Sequence, residues 1–160
     1  MKKSSKVMAH SAIIAALYVV LTYIASILGL SSGAIQIRFS EALTILPVFT
    51  SAAIPGLFIG CFISNILSGC VIWDVIFGSL ATLIGAVFTY FLKNHEKYAF
   101  IPPILSNTII VPFVLKYAYG LPAGLAYLVL TVGIGEILSC GVLGSLLLLY
   151  LKKYKNAIKW

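Results

Sequence analysis

The chain has 160 residues, 61% of them apolar and 9% charged, with a net charge of +7 and a mean hydropathy of +1.10. A soluble domain of this length needs more polar surface than that to cover its core, so an aqueous globule is excluded, whereas hydrocarbon removes the requirement. Nine of the eleven Lys and Arg residues fall in three short clusters: Lys2, Lys3 and Lys6; Lys93 and Lys97; and Lys152, Lys153, Lys155 and Lys159. Basic clusters beside apolar stretches are topology signals and contacts for anionic lipid, which argues against a nucleic-acid partner.

The basic start followed by an apolar run resembles a signal peptide, but the run extends to about Leu30. That exceeds a signal's apolar core of roughly 7–15 residues, so residues 8–30 read as an anchored first span. Along this helix Ala12 and Ala16, with Ser11 and Ala15 beside them, give the small-xxx-small spacing that lets another helix approach closely. The residues at 31–33 break it. From Phe39 to Ile72 a single helix would measure roughly 50 Å, too long for a core of about 30 Å. Pro55-Gly56 supplies the break, giving a short span two over residues 39–50 and a short span three over 55–70. Span four covers 74–92. Span five covers 99–117, opened by Pro102-Pro103 and interrupted by Pro112, and span six covers 122–151.

Six spans place the N-terminus, the Lys93–Lys97 loop and the C-terminal lysines on one face, whereas five would divide them. Lys and Arg favour the cytoplasmic side, so the expectation is an all-α, six-transmembrane-helix bundle, one membrane domain, with both termini cytoplasmic. The alternating polarity of a β-barrel is absent.

Ionisable groups inside a membrane are costly, and each demands a reason. Arg38, Glu41, Asp74 and Lys116 fall at the outer ends of spans, where snorkelling to headgroups accounts for an isolated charge. Glu136, within Thr131-Val-Gly-Ile-Gly-Glu-Ile-Leu, lies in the body of span six and must face the bundle interior, a partner or a ligand. It stands roughly 20 Å along the helix from Pro122, deep for an outer site. Asn107 is the most polar group of span five and suits either an interhelical hydrogen bond or a ligand. Trp73, beside Asp74, suits the interfacial aromatic belt or stacking on a flat ligand. Together these residues form an outward polar cluster in an otherwise apolar chain.

Cys61, Cys70 and Cys140 are odd in number and without CxxC spacing, which points to apolar filler and not to disulfides or a metal. No phosphate-binding GxxxxGK[ST] loop or HExxH occurs, so ATP cleavage by that route is not expected of this chain. Active transport would draw on ions or a partner.

Three stretches closely resemble the queuosine-precursor transporter (QueT) family: Gln36-Ile-Arg-Phe-Ser-Glu-Ala-Leu-Thr-Ile-Leu-Pro, Ala53-Ile-Pro-Gly-Leu-Phe-Ile-Gly-Cys and Trp73-Asp-Val-Ile-Phe-Gly-Ser-Leu-Ala-Thr-Leu. Pro102-Pro-x-x-x-Asn and Gly135-Glu-Ile continue the match. The resemblance implies the substrate-binding S component of an energy-coupling-factor (ECF) importer in the cell membrane. Such a component captures a 7-deazaguanine and docks on a transmembrane coupling subunit carried by two ATPases, which use the ATP. The chain itself needs no cofactor. In related S components the alanine face of the first helix meets the coupling subunit, which implies docking through Ala12 and Ala16. A deazaguanine offers adjacent N–H and NH₂ donors, a carbonyl acceptor and a flat face. Glu136 suits the donor edge, Asn107 the polar rim and Trp73 stacking. Asp74 or Glu41 suits an aminomethyl cation, with Arg38 either in the site or bracing Glu41 across one helical turn. The alternatives are an S component for another vitamin, a stand-alone secondary carrier, and, least supported, an intramembrane enzyme.

Overall fold

A computed structural model describes residues 3–31 and 35–153; Lys2, Lys155, Lys159 and part of the break expected at 31–33 lie outside the described residues. Among those described, the protein is all-helical. Helix α1 spans Lys3–Ile27, free of proline and glycine throughout. It ends because Gly29 takes a positive φ of 71° and the Leu30 amide reaches back to the Ala25 carbonyl at 3.0 Å, a left-handed cap that glycine adopts without strain.

The expected second α-helix is instead a 3₁₀ helix, Phe39–Val48. At about 2.0 Å per residue its ten residues reach roughly 20 Å, short of a hydrocarbon core of about 30 Å. Runs of 3₁₀ helix beyond three or four residues are uncommon, and burial sustains this one: Ser40, Glu41, Leu43, Thr44, Ile45, Leu46 and Pro47 are all buried. It threads the middle of the bundle. Helix α2, Ala53–Leu67, begins two residues before Pro55, where a missing N–H costs nothing. It ends at Gly69, whose φ is also 71°.

Helix α3 spans Ile72–Phe91 with Asp74 in its first turn, where the helix dipole favours a carboxylate. Two short 3₁₀ turns, Leu92–Asn94 and Glu96–Tyr98, lead to α4, Ile101–Tyr117, with proline at its N-terminus. Pro112 does not interrupt α4 as expected: the helix runs through it and buries it, since close neighbours in a bundle tolerate one lost backbone hydrogen bond. The last helix runs Leu125–Lys153 in three parts: α5, Leu125–Glu136, a π-helical stretch Ile137–Leu143, and α6, Gly144–Lys153.

Among the described residues, four helices are long and apolar enough to cross a membrane: Ser4–Ile27, Ile72–Asn94, Glu96–Tyr117 and Leu125–Lys153. Phe39–Val48 and Ala53–Leu67 are apolar but shorter. The outside of the bundle is apolar, with Ile13, Leu17, Val20, Leu130, Leu146 and Leu149 exposed, while Ser40, Thr44, Asn65, Thr82, Ser106 and Ser139 are buried. That inversion of the soluble pattern makes hydrocarbon the matching solvent.

Direction follows from the closest contacts. A Cβ at Gly56 would meet Ser11 and Ile14, and one at Gly60 would meet Ala15 and Tyr18, so α1 and α2 run parallel. The chain between them therefore returns the whole way, partly as the 3₁₀ helix. Gly85 packs on Pro103 and the Thr89 hydroxyl donates to the Ala99 carbonyl at 2.8 Å, making α3 and α4 antiparallel. Glu96 pairs with Lys152, bringing the Lys93–Lys97 region and the end of α6 together at the end of the bundle where α1 begins.

Candidate functional site

The extended segment before the 3₁₀ helix sets the depth of the site. A Cβ on Gly135 would overlap the Gln36 carbonyl oxygen, and the Arg38 amide donates to the Ser139 hydroxyl at 3.1 Å. Residues 36–38 thus lie inside the bundle against α5 and the π-helical stretch. Irregular backbone at that depth survives because it is covered by protein. The depth of Glu136 follows from this: it sits roughly 16 Å from the start of α5, and the segment descends to meet it.

Below this segment lies a pocket of about 40 Å³, lined among others by Arg38, Glu41, Cys61, Thr82, Asn107 and Glu136. Above it lies a chamber of about 550 Å³, lined among others by Thr22, Asn65, Cys70, Asp74 and Tyr119. Gln36, Arg38 and Leu115 line both and form the floor between them. The inner pocket has room for about one water molecule.

Glu41 is 2% exposed and held from three sides. The Tyr18 hydroxyl donates to its Oε1, Asn107 Nδ2 donates to its Oε2 at 3.5 Å, and the Thr44 hydroxyl donates to its main-chain carbonyl at 2.6 Å. Glu136 takes the Cys140 thiol at 3.2 Å. The π-helical turn starts directly after Glu136. Such widening is frequent at functional sites, and here Ser139 and Cys140 both point inward, buried. Glu41, Glu136 and Cys140 each bring one potential metal-ligating atom within 4.8 Å of the others. Tyr18, Asn107 and the thiol itself already occupy much of that donor set.

Of the residues singled out from sequence, Arg38, Glu41, Asn107 and Glu136 come together around the inner pocket. Asp74, 5% exposed, belongs to the outer chamber, where the Tyr119 hydroxyl donates to its Oδ2 at 2.9 Å. Burial, followed by the nearby Asp74 carboxylate, pushes the Tyr119 phenol up from its ordinary range. Trp73 stays outside both cavities: it is 54% exposed, stacks on Phe77 and lines an apolar groove with Phe113 and Tyr117. As the second residue of α3 it points away from its neighbour Asp74, so only one of the pair faces inward.

Arg38 does not brace Glu41 by an ion pair. Its backbone is extended, φ −113° and ψ 110°, so the helical alignment that brings residues three apart together has not begun. Its guanidinium donates instead to Gln36 Oε1 at 3.4 Å. Two site residues escaped the sequence reading. Tyr18 is an uncharged aromatic in an apolar helix, and nothing in its spacing signals a polar partner. Cys140 stands four residues after Glu136, a same-face spacing that would have placed it there.

Ala12 and Ala16 of α1 are exposed, while Ser11 and Ala15 face the interior. The Ser11 hydroxyl donates to the Ala52 carbonyl at 2.8 Å. The small-residue stripe thus splits, one half closing on α2 and the other left outward.

An apolar exterior and membrane-length helices around two polar cavities define a multi-pass membrane protein. The family described as QueT transporter matches residues 8–153, and the chain belongs to it. Over 73 residues the chain is 47% identical to the queuosine precursor transporter QueT of Lactococcus lactis subsp. cremoris (strain MG1363). That match spans 46% of this chain and 43% of the relative, less than half of either. No solved structure matches.

Proposed function

We propose that the chain is the substrate-binding S component of an ECF-type, ATP-driven importer that captures a queuosine precursor from outside the cell. The ligand is a 7-deazaguanine such as 7-aminomethyl-7-deazaguanine, or queuine. Family membership gives the transport role and the relative's name gives the substrate class. The observation that carries the rest is the convergence of Glu41, Asn107 and Glu136, from three separate elements, on one pocket beneath a chamber holding Asp74.

Glu136 accepts the adjacent N–H and NH₂ donors of the base, in the bidentate manner a carboxylate permits. Asn107 serves the polar rim. Asp74, oriented by Tyr119, faces the aminomethyl cation from the chamber side. The inner pocket at about 40 Å³ is too small for a bicyclic base, so binding moves the Gln36–Arg38 floor and joins the two cavities.

Six crossings, with the 3₁₀ helix and α2 as the short ones, follow from the parallel run of α1 and α2. The shared end of Lys6, Lys93, Lys97 and Lys152 is then cytoplasmic, in the cell membrane. The outward Ala12–Ala16 face is where the coupling subunit docks, itself carried by two ATPases. Calorimetric titration of the purified protein with 7-aminomethyl-7-deazaguanine, thiamin, biotin and riboflavin tests the assignment. Heat with the deazaguanine alone is expected; binding of a vitamin in its place would overturn it.

A further inference from the structure

Glu41 and Glu136 share one small pocket but are fastened very differently. Both oxygens of Glu41 have partners within the protein, Tyr18 on Oε1 and Asn107 on Oε2, and its carbonyl takes Thr44 and, at 3.5 Å, the Cys140 thiol. Glu136 takes Cys140 on Oε2 and lines the pocket itself. A carboxylate whose two oxygens are both held within the protein keeps a fixed orientation, whereas one with acceptor capacity left can take a ligand's donor edge.

Tyr18 is the least expected member of this set. It is 1% exposed, belongs to α1, and lines neither cavity. Its ring reaches Glu41 because α1 and α2 approach closely at Gly60, where an added Cβ would lie 2.7 Å from the Tyr18 Cβ. The ring is wedged there, so its hydroxyl has a fixed direction, and ordering a hydrogen bond in advance removes the entropy cost of forming it at binding.

We propose that Tyr18 is a positioning residue of the ligand site: by holding Glu41 Oε1 it turns Oε2 toward Asn107 and leaves Glu136 to take the ligand's donor edge. The proposal rests on the reading that these two carboxylates meet the ligand. It makes α1, which contributes no residue to the inner pocket, a determinant of affinity.

A double-mutant cycle on the purified full chain tests this, with 7-aminomethyl-7-deazaguanine as probe. Tyr18→Phe keeps the ring and removes the hydrogen bond. It is expected to weaken binding by roughly tenfold or more in the native background and by less than about twofold in Glu41→Gln, since a residue acting through Glu41 has nothing left to position. An equal loss in both backgrounds, or no loss in the native one, overturns the proposal. Should Tyr18→Phe fail to fold, 3-fluorotyrosine at Tyr18 retains the packing and alters chiefly the acidity of the hydroxyl. Its effect on affinity must likewise vanish with Glu41→Gln. If Glu41→Gln alone leaves affinity unchanged, the site assignment itself has failed, a result distinct from loss of coupling within an intact site.

Discussion

Replacing Gly135 by alanine places a methyl group where the structure has no room for one. The new Cβ would overlap the Gln36 carbonyl oxygen, and the next neighbours are the Gln36 carbonyl carbon at 3.3 Å and its nitrogen at 3.5 Å. All three are backbone, so no flexible side chain can swing aside. The 36–38 segment must retreat by roughly 1 Å, an overpacking cost of about 1–3 kcal/mol. That retreat strains the Arg38–Ser139 hydrogen bond of 3.1 Å and lifts the floor between the two cavities. If half or more of the cost falls on the ligand-bound state, affinity drops by roughly twofold to a hundredfold. Gly141→Ala is the control, because its Cβ would meet Ile104 at an ordinary 3.7 Å. Calorimetry with 7-aminomethyl-7-deazaguanine, paired with thermal unfolding in detergent, reads both effects. Equal affinity and equal melting temperature for Gly135→Ala and Gly141→Ala would refute the placement of the segment against α5.

Other perturbations separate the parts of the account. Trp73→Ala should change affinity by less than about twofold, since the indole lies outside both cavities and its loss removes only lipid-facing contact; a tenfold loss in a titration would return it to the site. Tyr119→Phe removes the donor on Asp74 and should weaken binding of the aminomethyl compound about threefold to tenfold while leaving 7-deazaguanine itself unaffected, as measured by paired titrations. Equal losses would show that Asp74 does not read the cation. Leucine at both Ala12 and Ala16 should abolish uptake into proteoliposomes carrying the complete importer but leave ligand affinity of the isolated chain intact. Uptake at the native rate would exclude that face as the docking surface.

Much of this arrangement is legible in the residues. Buried charge is so costly in hydrocarbon that Glu136 announces itself, and Asn107 does so more weakly, whereas Glu41 reads as an end-of-span charge and its burial emerges only from the fold. Glycine and proline mark the ends of the helices: Gly29 and Gly69 cap α1 and α2, and Pro102 opens α4. What periodicity cannot give is the choice between α and 3₁₀ geometry for Phe39–Val48, because burial on every side erases the one-face pattern that distinguishes periods. The reach of Tyr18 to Glu41 depends on how closely α1 approaches α2 at Gly60, a tertiary fact. Trp73 shows the complementary error: adjacency to Asp74 suggested a shared site, but neighbours along a helix point about 100° apart.

The descent of residues 36–38 was equally hidden, since a polar loop at the end of an apolar span reads as solvated surface. The Arg38–Ser139 hydrogen bond and the bare backbone of Gly135, pressed against the Gln36 carbonyl, record it. That contact also accounts for a glycine directly before the deepest carboxylate of the chain.

The central claim is that Glu136 takes the donor edge of a 7-deazaguanine. Titrating 7-aminomethyl-7-deazaguanine into the native protein and into Glu136→Gln decides it, because the amide replaces one acceptor oxygen with a donor and leaves the shape unchanged. Saturable binding by the native chain is expected, with a loss of roughly a hundredfold or more in the variant. Identical isotherms for the two proteins would contradict it.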